Sequence, residues 1–353
     1  MKIAIITLYD YYNCGSFLQA YAMQKYLKAM GHEVYFVRTQ SVKRRIRRAY
    51  TTHKTAADII YHTKKILTYQ KAFSKLKQIK ASQINRMDAV VIGSDELWNT
   101  DNGSFNQFPF YYGVGYESVP TIVYAMSLGN GDAETFRKHD YIIPAIQSLK
   151  YIYARDKNTA DSISKITGRI PELVCDPTLL LSRNSYIENH KRIVKVPYIL
   201  VYSYGMPEYL NSHIQKFAKK NKLLIVTASL KSPIADVELN CSPLDFPSVI
   251  NDASYIVTTT FHGSIFSVLN QKNFVVLPYA KKTSDFLKMV GLETRILQED
   301  CDYEKFNSII TCIPDYSTVN PILLELREKS MEVLRDFLNK AQNSKDRDGP
   351  QFG

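Results

Sequence analysis

The sequence predicts an α/β protein of two Rossmann-like domains, each a parallel sheet flanked by helices, which face each other across a cleft. Strand-length apolar runs alternate with helical patterns in two successive series, and this alternation predicts parallel sheets covered by helices. A polar, basic segment followed by Pro197 separates the two series. The chain of 353 residues is also long enough for two domains with their own cores.

The first series of apolar runs predicts the strands of the N-terminal domain. The helical pattern Leu18–Met30 follows the first run and ends at Gly31, a residue typical of a helix C-terminus. Short continuous apolar runs are typical of strands buried on both faces. The six runs are Ile3–Thr7, Val34–Val37, Ala89–Gly93, Thr121–Ala125, Tyr151–Ala154 and Leu173–Cys175.

The second series predicts the C-terminal domain and sets the domain boundaries. Its runs are Tyr198–Tyr204, Leu223–Thr227, Tyr255–Thr259 and Phe274–Leu277. The break between the series places the N-terminal domain at residues 1–188 and the C-terminal domain at residues 189–315. A helical pattern predicts a C-terminal helix over residues 316–342, and the polar residues 343–353 predict a disordered tail.

Composition and cysteine use predict a cytoplasmic enzyme without a metal site. Hydrophobic residues make up 45% and charged residues 22% of the chain, which is ordinary for a soluble enzyme. No apolar run approaches the roughly 18–20 residues of a membrane-spanning helix, and the first run is too short for a signal peptide. The five cysteines include no CxxC pair, and the histidines have neither HxH nor HExxH spacing, so we expect no disulfide framework and no metal.

The net charge of +11 is concentrated in the segment 38–86, which has 14 lysines and arginines and a single acid, Asp58. One interpretation is a solvated helix that packs on its own domain through one apolar stripe. The other is a patch that binds an anionic membrane surface. No nucleic-acid-binding motif is present, so a nucleic-acid partner is not expected. The apolar stripe consists of Ile59, Ile66, Phe73 and Ile79.

His262 is the clearest candidate for chemistry. The stretch Asn251–Pro278 predicts a buried strand, a tight turn containing His262 and Gly263, a helix and another strand. Ligands of such units bind at the carboxyl ends of the strands, beside a helix N-terminus that attracts anions. His262 is therefore a titratable group beside a predicted anion site, or it hydrogen-bonds a neighbouring loop.

The first strand-to-helix turn lacks the GxGxxG sequence that holds a dinucleotide pyrophosphate. Asn13 and Gly15 precede the helix there instead. An Asn-x-Gly sequence is a good turn and helix start. The same position can also present backbone N–H groups to an anion or a sugar hydroxyl, and both interpretations stay open.

Four ordered segments span most of the chain: NCGSFLQAYAMQKYL from Asn13, DAVVIGSDELWN from Asp88, YIYARDKNTADSISKITGRIPELVCDPTLLL from Tyr151 and CSPLDFPSVINDASYIVTTTFHGSIFSVL from Cys241. Together they resemble the polysaccharide pyruvyl transferase family. The resemblance implies a fold like that of the two-domain GT-B glycosyltransferases. It also implies transfer of an enolpyruvyl-derived group from phosphoenolpyruvate, the donor substrate, to a sugar diol without a further cofactor.

The resemblance implies that His262 is the general acid and that Arg155 binds the donor anion. Protonation of the phosphoenolpyruvate methylene carbon needs a group that titrates near neutral pH, and histidine suits that task best. The planar guanidinium of Arg155 fits a phosphate or carboxylate, with an ion pair to Asp156 or Asp161 as the alternative. The remaining expected donor-binding residues are Gly263, Ser264, Lys281 and Lys282, although exposed lysines without a ligand are also common.

The acceptor sugar is expected beside the strand that ends in GSDELWN. Asp95 is the candidate base or hydroxyl-binding group, or else a plain helix N-cap. Trp98, the single tryptophan, could stack on a sugar ring or fill the core. Asp176 precedes a proline, and we assign it a structural role in a turn. The expected acceptor site is completed by Asn13, Gly15 and Glu96.

The leading functional prediction is a pyruvyl transferase that modifies a sugar or lipid-linked oligosaccharide during capsule, exopolysaccharide or cell-wall synthesis. We expect it in the cytoplasm, peripheral to the inner membrane face through the basic segment 38–86. One alternative is a GT-B glycosyltransferase that uses a nucleotide sugar. Another is a catalytically silent glycan-binding or assembly protein.

Overall fold

The structure is a computed structural model that describes residues 1–41, 43, 46–47, 55–103, 107–188 and 190–347. Its strands form two parallel sheets of seven and five strands, and helices flank both. The predicted α/β fold of two Rossmann-like units is therefore confirmed. Part of the predicted basic segment, namely residues 42, 44–45 and 48–54, lies outside the described residues.

The N-terminal sheet consists of the strands β1 (Lys2–Ile6), β2 (Glu33–Val37), β3 (Gln78–Ile79), β4 (Ala89–Ile92), β5 (Thr121–Met126), β6 (Tyr151–Ala154) and β7 (Glu172–Leu173). Their order is β3-β2-β1-β4-β5-β6-β7, and in register Ile3 pairs with Val34 on one side and Ala89 on the other. Strands β1 and β4 are runs of apolar residues because helices cover both faces of the sheet. The order reverses between β1 and β4, and ligands of open α/β sheets bind beside such a point.

The helices that accompany this sheet are α1 (Cys14–Ala29), α2 (Ala56–Phe73), α3 (Ile142–Ser148), α4 (Lys157–Thr167) and α5 (Arg183–Tyr186). Side chains of α1 and α2 belong to one apolar cluster, and those of α3 and α4 belong to another. Asn13 begins α1, because its side-chain oxygen accepts a hydrogen bond from the Ser16 N–H at 3.1 Å. Asp156 caps α4 in the same way through the Thr159 N–H at 2.9 Å.

The C-terminal sheet consists of the strands β8 (Tyr198–Tyr202), β9 (Leu224–Ala228), β10 (Val237–Leu239), β11 (Tyr255–Thr258) and β12 (Phe274–Val276), in the order β10-β9-β8-β11-β12. The accompanying helices are α6 (Glu208–Asn221), α7 (Phe246–Asp252), α8 (Phe261–Leu269), α9 (Lys281–Met289) and α10 (Tyr303–Thr311). The sequence did not predict β10, since its three residues are only partly buried and form no apolar run.

A hydrophobic cluster continues from one sheet to the other. Phe17 and Tyr69 from the N-terminal helices belong to the same cluster as Tyr202, Phe246 and Phe266 from the C-terminal unit. Two further clusters each stay with one sheet. The two units are thus packed on each other through a continuous apolar interface, and this interface fixes the walls of the cleft.

The last helix, α11 (Tyr316–Arg347), returns from the C-terminal unit to the N-terminal unit. Its first residue, Tyr316, donates to the Lys272 carbonyl at 2.7 Å. Further along, the Ser330 hydroxyl accepts from the Cys175 N–H at 2.8 Å. The predicted helix end at residue 342 is corrected, because the helix continues to Arg347, and residues 348–353 of the predicted tail lie outside the described residues.

Candidate active site

The candidate site is a cavity of about 420 Å³ at the carboxyl ends of the strands, where the two units meet. The N-terminal unit contributes Asn13, Ser16, Asp95 and Glu96, and the C-terminal unit contributes residues of the turn before α8 and the start of α9. Carboxyl ends of parallel strands and helix N-termini therefore converge on one space, an arrangement typical of ligand sites in α/β folds.

His262 is the second residue of α8 and is nearly buried. The hydroxyl of Thr260 begins this helix by accepting the Gly263 N–H at 3.0 Å. The His262 side chain packs against the first turn of α1, and a Cβ atom at Gly15 would lie within 2.8 Å of three of its atoms. The absence of a side chain at Gly15 thus leaves room for the imidazole of His262. Gly15 was expected to contact the acceptor, but in the structure it contacts His262.

Burial lowers the pKa of the His262 imidazole below its ordinary value, although the charges of Asp176 and Asp95 oppose that shift. Its Nε2 atom lies 3.7 Å from a carboxylate oxygen of Asp176. Nε2 is buried and has no hydrogen-bond partner among the residues that the structure describes. The lowered pKa favours the neutral imidazole, and additional negative charge close to Nε2 would favour its protonated form.

Arg155 follows β6 and is almost completely buried, with 4% of its surface exposed. Its Nη1 atom donates to Asp176 at 2.7 Å, and its Nη2 atom lies 3.8 Å from a carboxylate oxygen of Asp95. The guanidinium carbon lies 4.4 Å from the ring centroid of Phe261. The Nε and Nη2 atoms are buried and have no hydrogen-bond partner among the described residues, and Arg155 lies behind His262 and Asp95 rather than on the cavity wall itself.

Arg155 does not form the alternative ion pair that was expected with Asp156 or Asp161. Asp156 instead caps α4 and accepts a hydrogen bond from the Ser127 hydroxyl at 2.7 Å. Among the described residues, the ion pairs of Arg155 are those with Asp176 and Asp95. The guanidinium therefore joins carboxylates that follow two different strands of the N-terminal sheet.

Asp176 caps a turn and also contacts the candidate catalytic residues, which corrects its assignment to a purely structural role. It begins the short 3-10 helix Pro177–Leu180 by accepting from the Thr178 N–H at 2.9 Å, as predicted for a turn. It also contacts both Arg155 and His262. Burial raises the pKa of this carboxyl, but the charges of His262 and Arg155 outweigh burial and keep the pKa below its ordinary value. Its position after a strand, at the same sheet edge as Arg155, was the signal that sequence reasoning overlooked.

Asp95 lies shortly after the end of strand β4, on the cavity wall. One carboxylate oxygen accepts a hydrogen bond from the Ser16 hydroxyl at 2.8 Å, and the other faces Arg155. Burial raises the pKa of Asp95, but Lys282, Arg155 and His262 outweigh it, so the pKa lies below the ordinary value. Asp95 is thus a carboxylate over the physiological pH range and is placed to accept a hydrogen bond from a ligand hydroxyl.

Glu96 and Lys282 form an ion pair of 2.5 Å between the two units. Both side chains line the cavity. Burial raises the pKa of Glu96, but the ammonium group of Lys282 outweighs burial and keeps the pKa lowered. The site therefore contains three carboxyl groups, those of Asp95, Glu96 and Asp176, against the basic side chains of Arg155 and Lys282.

Three expected ligand contacts are corrected by burial. Trp98 is fully buried, donates its indole N–H to the Tyr111 carbonyl at 2.8 Å and stacks on Tyr112, so it fills the core. The Gly263 N–H is used by the Thr260 cap, and the Ser264 hydroxyl donates to the Thr260 carbonyl at 3.0 Å. Neither residue lines the cavity.

The other predicted residues lie at the rim of the site. Lys281 is exposed, and its backbone N–H donates to the Asn130 side chain at 3.3 Å. The Asn13 amide donates to the hydroxyl of Tyr204. Tyr204 and Tyr279 are both exposed at the cavity and face each other at 6.3 Å between ring centroids. Sequence reasoning could not select these two from the 25 tyrosines of the chain.

The sequence of the chain matches a known protein family. A family model described as polysaccharide pyruvyl transferase matches residues 13–281, more than half of the chain. The chain belongs to the polysaccharide pyruvyl transferase family. The matched range begins at Asn13 and includes the cavity residues of this pyruvyl transferase family member up to Ala280, whereas Lys282 and Thr283 lie just beyond its end. Membership in the family makes the chain a transferase.

Solved structures that resemble this pyruvyl transferase family member share its fold. The UDP-GlcNAc 2-epimerase from Neisseria meningitidis is 10% identical, with a TM-score of 0.51, over 96% of this chain and 100% of the other. An alpha-glucosyltransferase in complex with UDP and DNA is 11% identical, with a TM-score of 0.52, over 95% of both chains. The likeness confirms the predicted GT-B-like architecture. No curated protein sequence matches the chain significantly.

Proposed function

We propose that this chain transfers an enolpyruvyl-derived group from phosphoenolpyruvate to two hydroxyls of a sugar in a polysaccharide or lipid-linked glycan precursor. The products are a pyruvate ketal and inorganic phosphate. The observation that carries the proposal is the buried cluster of Arg155, Asp176 and His262, in which His262 lines the cavity and the guanidinium and imidazole have nitrogen atoms without a hydrogen-bond partner among the described residues. A dense anion and a proton donor are the two requirements of this chemistry.

Arg155 and Lys282 are the proposed donor-binding residues. The guanidinium presents Nε and Nη2, which suits two oxygens of one phosphate or carboxylate. Asp176 holds the guanidinium in place from the opposite side at 2.7 Å. Lys282 approaches the same Phe261 ring to 5.4 Å and supplies a second cation, while Lys281 adds exposed positive charge at the rim.

His262 is the proposed general acid. It gives its proton to the methylene carbon of the donor, which becomes the methyl group, while a positive charge develops at the neighbouring carbon. The first sugar hydroxyl bonds to that carbon, and its proton restores the charge on His262. Phosphate then leaves with its C–O bond electrons, the second hydroxyl closes the ketal, and the proton of that hydroxyl ends on phosphate. General acid catalysis of this kind contributes roughly 10²–10⁴ in rate.

Asp95 is the proposed acceptor-binding carboxylate. Its lowered pKa makes it a weak base, so it orients the attacking hydroxyl by accepting a hydrogen bond, with Ser16 fixing the carboxylate. The exposed rings of Tyr204 and Tyr279 replace Trp98 as the surface on which a sugar can stack. Asn13 and Glu96 hold Tyr204 and Lys282 in position.

Thermal unfolding with phosphoenolpyruvate tests the proposal. A ligand at about 100 times its dissociation constant stabilises the folded state by roughly 2.7 kcal/mol, an easily measured rise in Tm. We expect this rise in the wild type and its loss in Arg155→Ala. Removal of one partner from a buried ion pair can unfold a protein. The second variant is therefore Arg155→Lys, which keeps the positive charge but loses the paired N–H groups of the guanidinium.

Turnover separates the proposal from its alternatives. With phosphoenolpyruvate and a glycan acceptor, His262→Gln should bind the donor but release no phosphate. A rise in Tm with UDP-sugars and none with phosphoenolpyruvate would assign the chain to nucleotide-sugar chemistry. Ligand binding that is unaffected by His262→Ala, with no turnover of any donor, would assign it to the glycan-binding proteins.

A further inference from the structure

Helix α2 presents large aliphatic side chains to solvent. Its inward face is well packed, with Ile66, Tyr69 and Phe73 buried. On the outward face, Ile59 is 49%, Ile60 57% and Leu67 66% exposed. A helix packed on a domain normally carries polar residues on that side, so this face departs from the usual amphipathic pattern. The predicted inward stripe is corrected at Ile59, which is exposed near the start of the helix, and at Ile79, which lies in strand β3 instead of on the helix.

Lysines share the outward face with these aliphatic residues. Ile60, Lys64, Leu67 and Lys71 are spaced by four, three and four positions, which places them on one side of the helix. Lys64 and Lys71 are exposed, and neither forms an ion pair with another described residue. The exposed basic surface continues past the helix through Lys75, Lys77 and Lys80.

Helix α2 and the segment after it supply no free carboxylate to offset these charges, whereas Glu33 lies near Lys77, and Glu188 and Asp245 line the same groove as Lys71 and Lys75. The only acid of α2 is Asp58, and it pairs with Lys231 at 2.5 Å and accepts from the Thr55 hydroxyl at 2.7 Å. The sequence from residue 59 to residue 87 contains no aspartate or glutamate. The outward face of α2 is thus both cationic and apolar, the composition of helices that lie in a membrane interface.

We propose that the outward face of α2, formed by Ile60, Lys64, Leu67 and Lys71, binds an anionic phospholipid bilayer. The aliphatic side chains enter the boundary between headgroups and acyl chains, while the lysines extend to the lipid phosphates. No helix in the described part of the chain is long and apolar enough to cross a bilayer. The proposed contact is therefore peripheral, and it does not depend on the donor used in the cleft.

The two other candidate occupants fit this face less well. In a symmetric contact with a second copy, the same patch faces itself, so lysines would approach lysines. Nucleic acid would neutralise the lysines, but its phosphate backbone offers no apolar environment for Ile60 and Leu67. A bilayer with anionic headgroups satisfies both kinds of side chain at once.

Helix α2 is fixed to the C-terminal unit as well as to its own sheet, so binding would orient the whole enzyme. Lys65 donates to the Ser229 carbonyl at 2.7 Å, and the Asn240 side chain donates to the Tyr61 carbonyl at 2.7 Å. Both partners follow strands of the C-terminal sheet. A bilayer bound at α2 would therefore hold the cleft at a fixed distance from the membrane surface, as an enzyme with a lipid-linked acceptor requires.

Vesicle flotation with the full chain tests this inference. We expect binding to vesicles of equal parts phosphatidylcholine and phosphatidylglycerol, weaker binding at high salt, and little binding to phosphatidylcholine alone. The double variant Ile60→Asp/Leu67→Asp should lose about tenfold or more in partitioning, because carboxylates enter the lipid interface poorly. Lys64→Glu/Lys71→Glu should lose a similar amount. The matched control is Leu324→Asp on α11, where the side chain is 51% exposed.

Several results would overturn the inference. They are unchanged flotation of Ile60→Asp/Leu67→Asp, equal binding to neutral and anionic vesicles, a dimer in sedimentation that this variant dissociates, and tight duplex DNA binding without vesicle binding. The Tm rise with phosphoenolpyruvate, measured on the same variants, should equal that of the wild type. Failure of membrane binding is thereby distinguished from failure of the proposed function.

Discussion

Gly15 shows at the residue scale how a missing side chain positions a functional one. Because a Cβ atom there would come within 2.8 Å of the His262 side chain, Gly15→Ala must displace the imidazole. We expect Gly15→Ala to lower kcat by a factor of at least about 10² with a small change in Tm. Phosphate release and thermal unfolding measure the two effects. The control is Gly205→Ala, where a Cβ atom meets nothing within 4 Å, and an equal loss of activity in both variants would contradict the role of Gly15.

The charge balance of the site predicts that donor binding is coupled to proton uptake by His262. Three carboxylates face the basic side chains of Arg155 and Lys282, and burial keeps the pKa of His262 below its ordinary value in the free enzyme. A bound anion beside the imidazole raises that pKa. Between the free and the bound pKa, the complex holds one more proton than the free enzyme, so affinity falls as pH rises.

Calorimetric titration over pH 5–8 would measure this coupling. In the window between the two pKa values, the Kd for phosphoenolpyruvate should increase about tenfold per pH unit in the wild type beyond any ionisation of the ligand itself. His262→Gln removes the titrating group and should show only the dependence that comes from the ligand. Identical pH profiles of the two proteins would exclude proton uptake at His262.

The sequence predicted individual site residues only where they lie close to the carboxyl end of a predicted strand. Arg155 directly follows β6, and Asp95 and His262 come a few residues after β4 and β11, so all three lie at the carboxyl ends of parallel strands. Trp98 also follows a strand, yet its indole turns into the core beneath Tyr112. The direction of a side chain after a strand depends on local packing, which an apolar pattern does not encode.

At the scale of elements, Lys65 on α2 makes one of the polar contacts that tie this helix to the C-terminal unit. Its ammonium donates to the Ser229 carbonyl at 2.7 Å in a buried environment. Lys65→Met keeps the chain length but leaves that carbonyl without its donor, which costs about 1–3 kcal/mol in the free energy of unfolding. Urea unfolding measures the loss. The neighbouring Lys64→Met, on the exposed face, should change it by less than about 0.5 kcal/mol, and similar values for the two would refute the contact.

The elements that the sequence predicted are those with enough apolar residues to form a pattern. Strands β1, β4 and β8 are nearly continuous runs of buried residues and were predicted close to their observed bounds. The edge strands β3 and β10 have two and three residues, too few for any periodicity, and were missed. Edge strands are also covered on fewer sides, so their residues need not be apolar.

At the scale of the whole molecule, the sequence predicted two units but not how tightly they join. The cluster that contains Phe17 and Phe266 connects residues about 250 positions apart, and such contacts leave no local pattern. Helix α11 adds a second connection, since it begins on the C-terminal unit and ends on the N-terminal one. The position of the site between the units depends on both connections.

Because α11 joins the two units, the wild type should unfold in a single transition. Phe337, near the end of the helix, is buried against Tyr151 of the N-terminal sheet at 5.5 Å between ring centroids. Phe337→Ala should lower the free energy of unfolding by about 3–5 kcal/mol.

Two spectroscopic probes test this connection. Trp98, the single tryptophan, reports on the N-terminal unit alone, whereas far-ultraviolet circular dichroism reports on the whole chain. In Phe337→Ala we expect the fluorescence midpoint to fall below the dichroism midpoint, while the two coincide in the wild type and in the exposed control Asn339→Ala. Coincident midpoints in all three proteins would show that α11 is not the connection that makes unfolding cooperative.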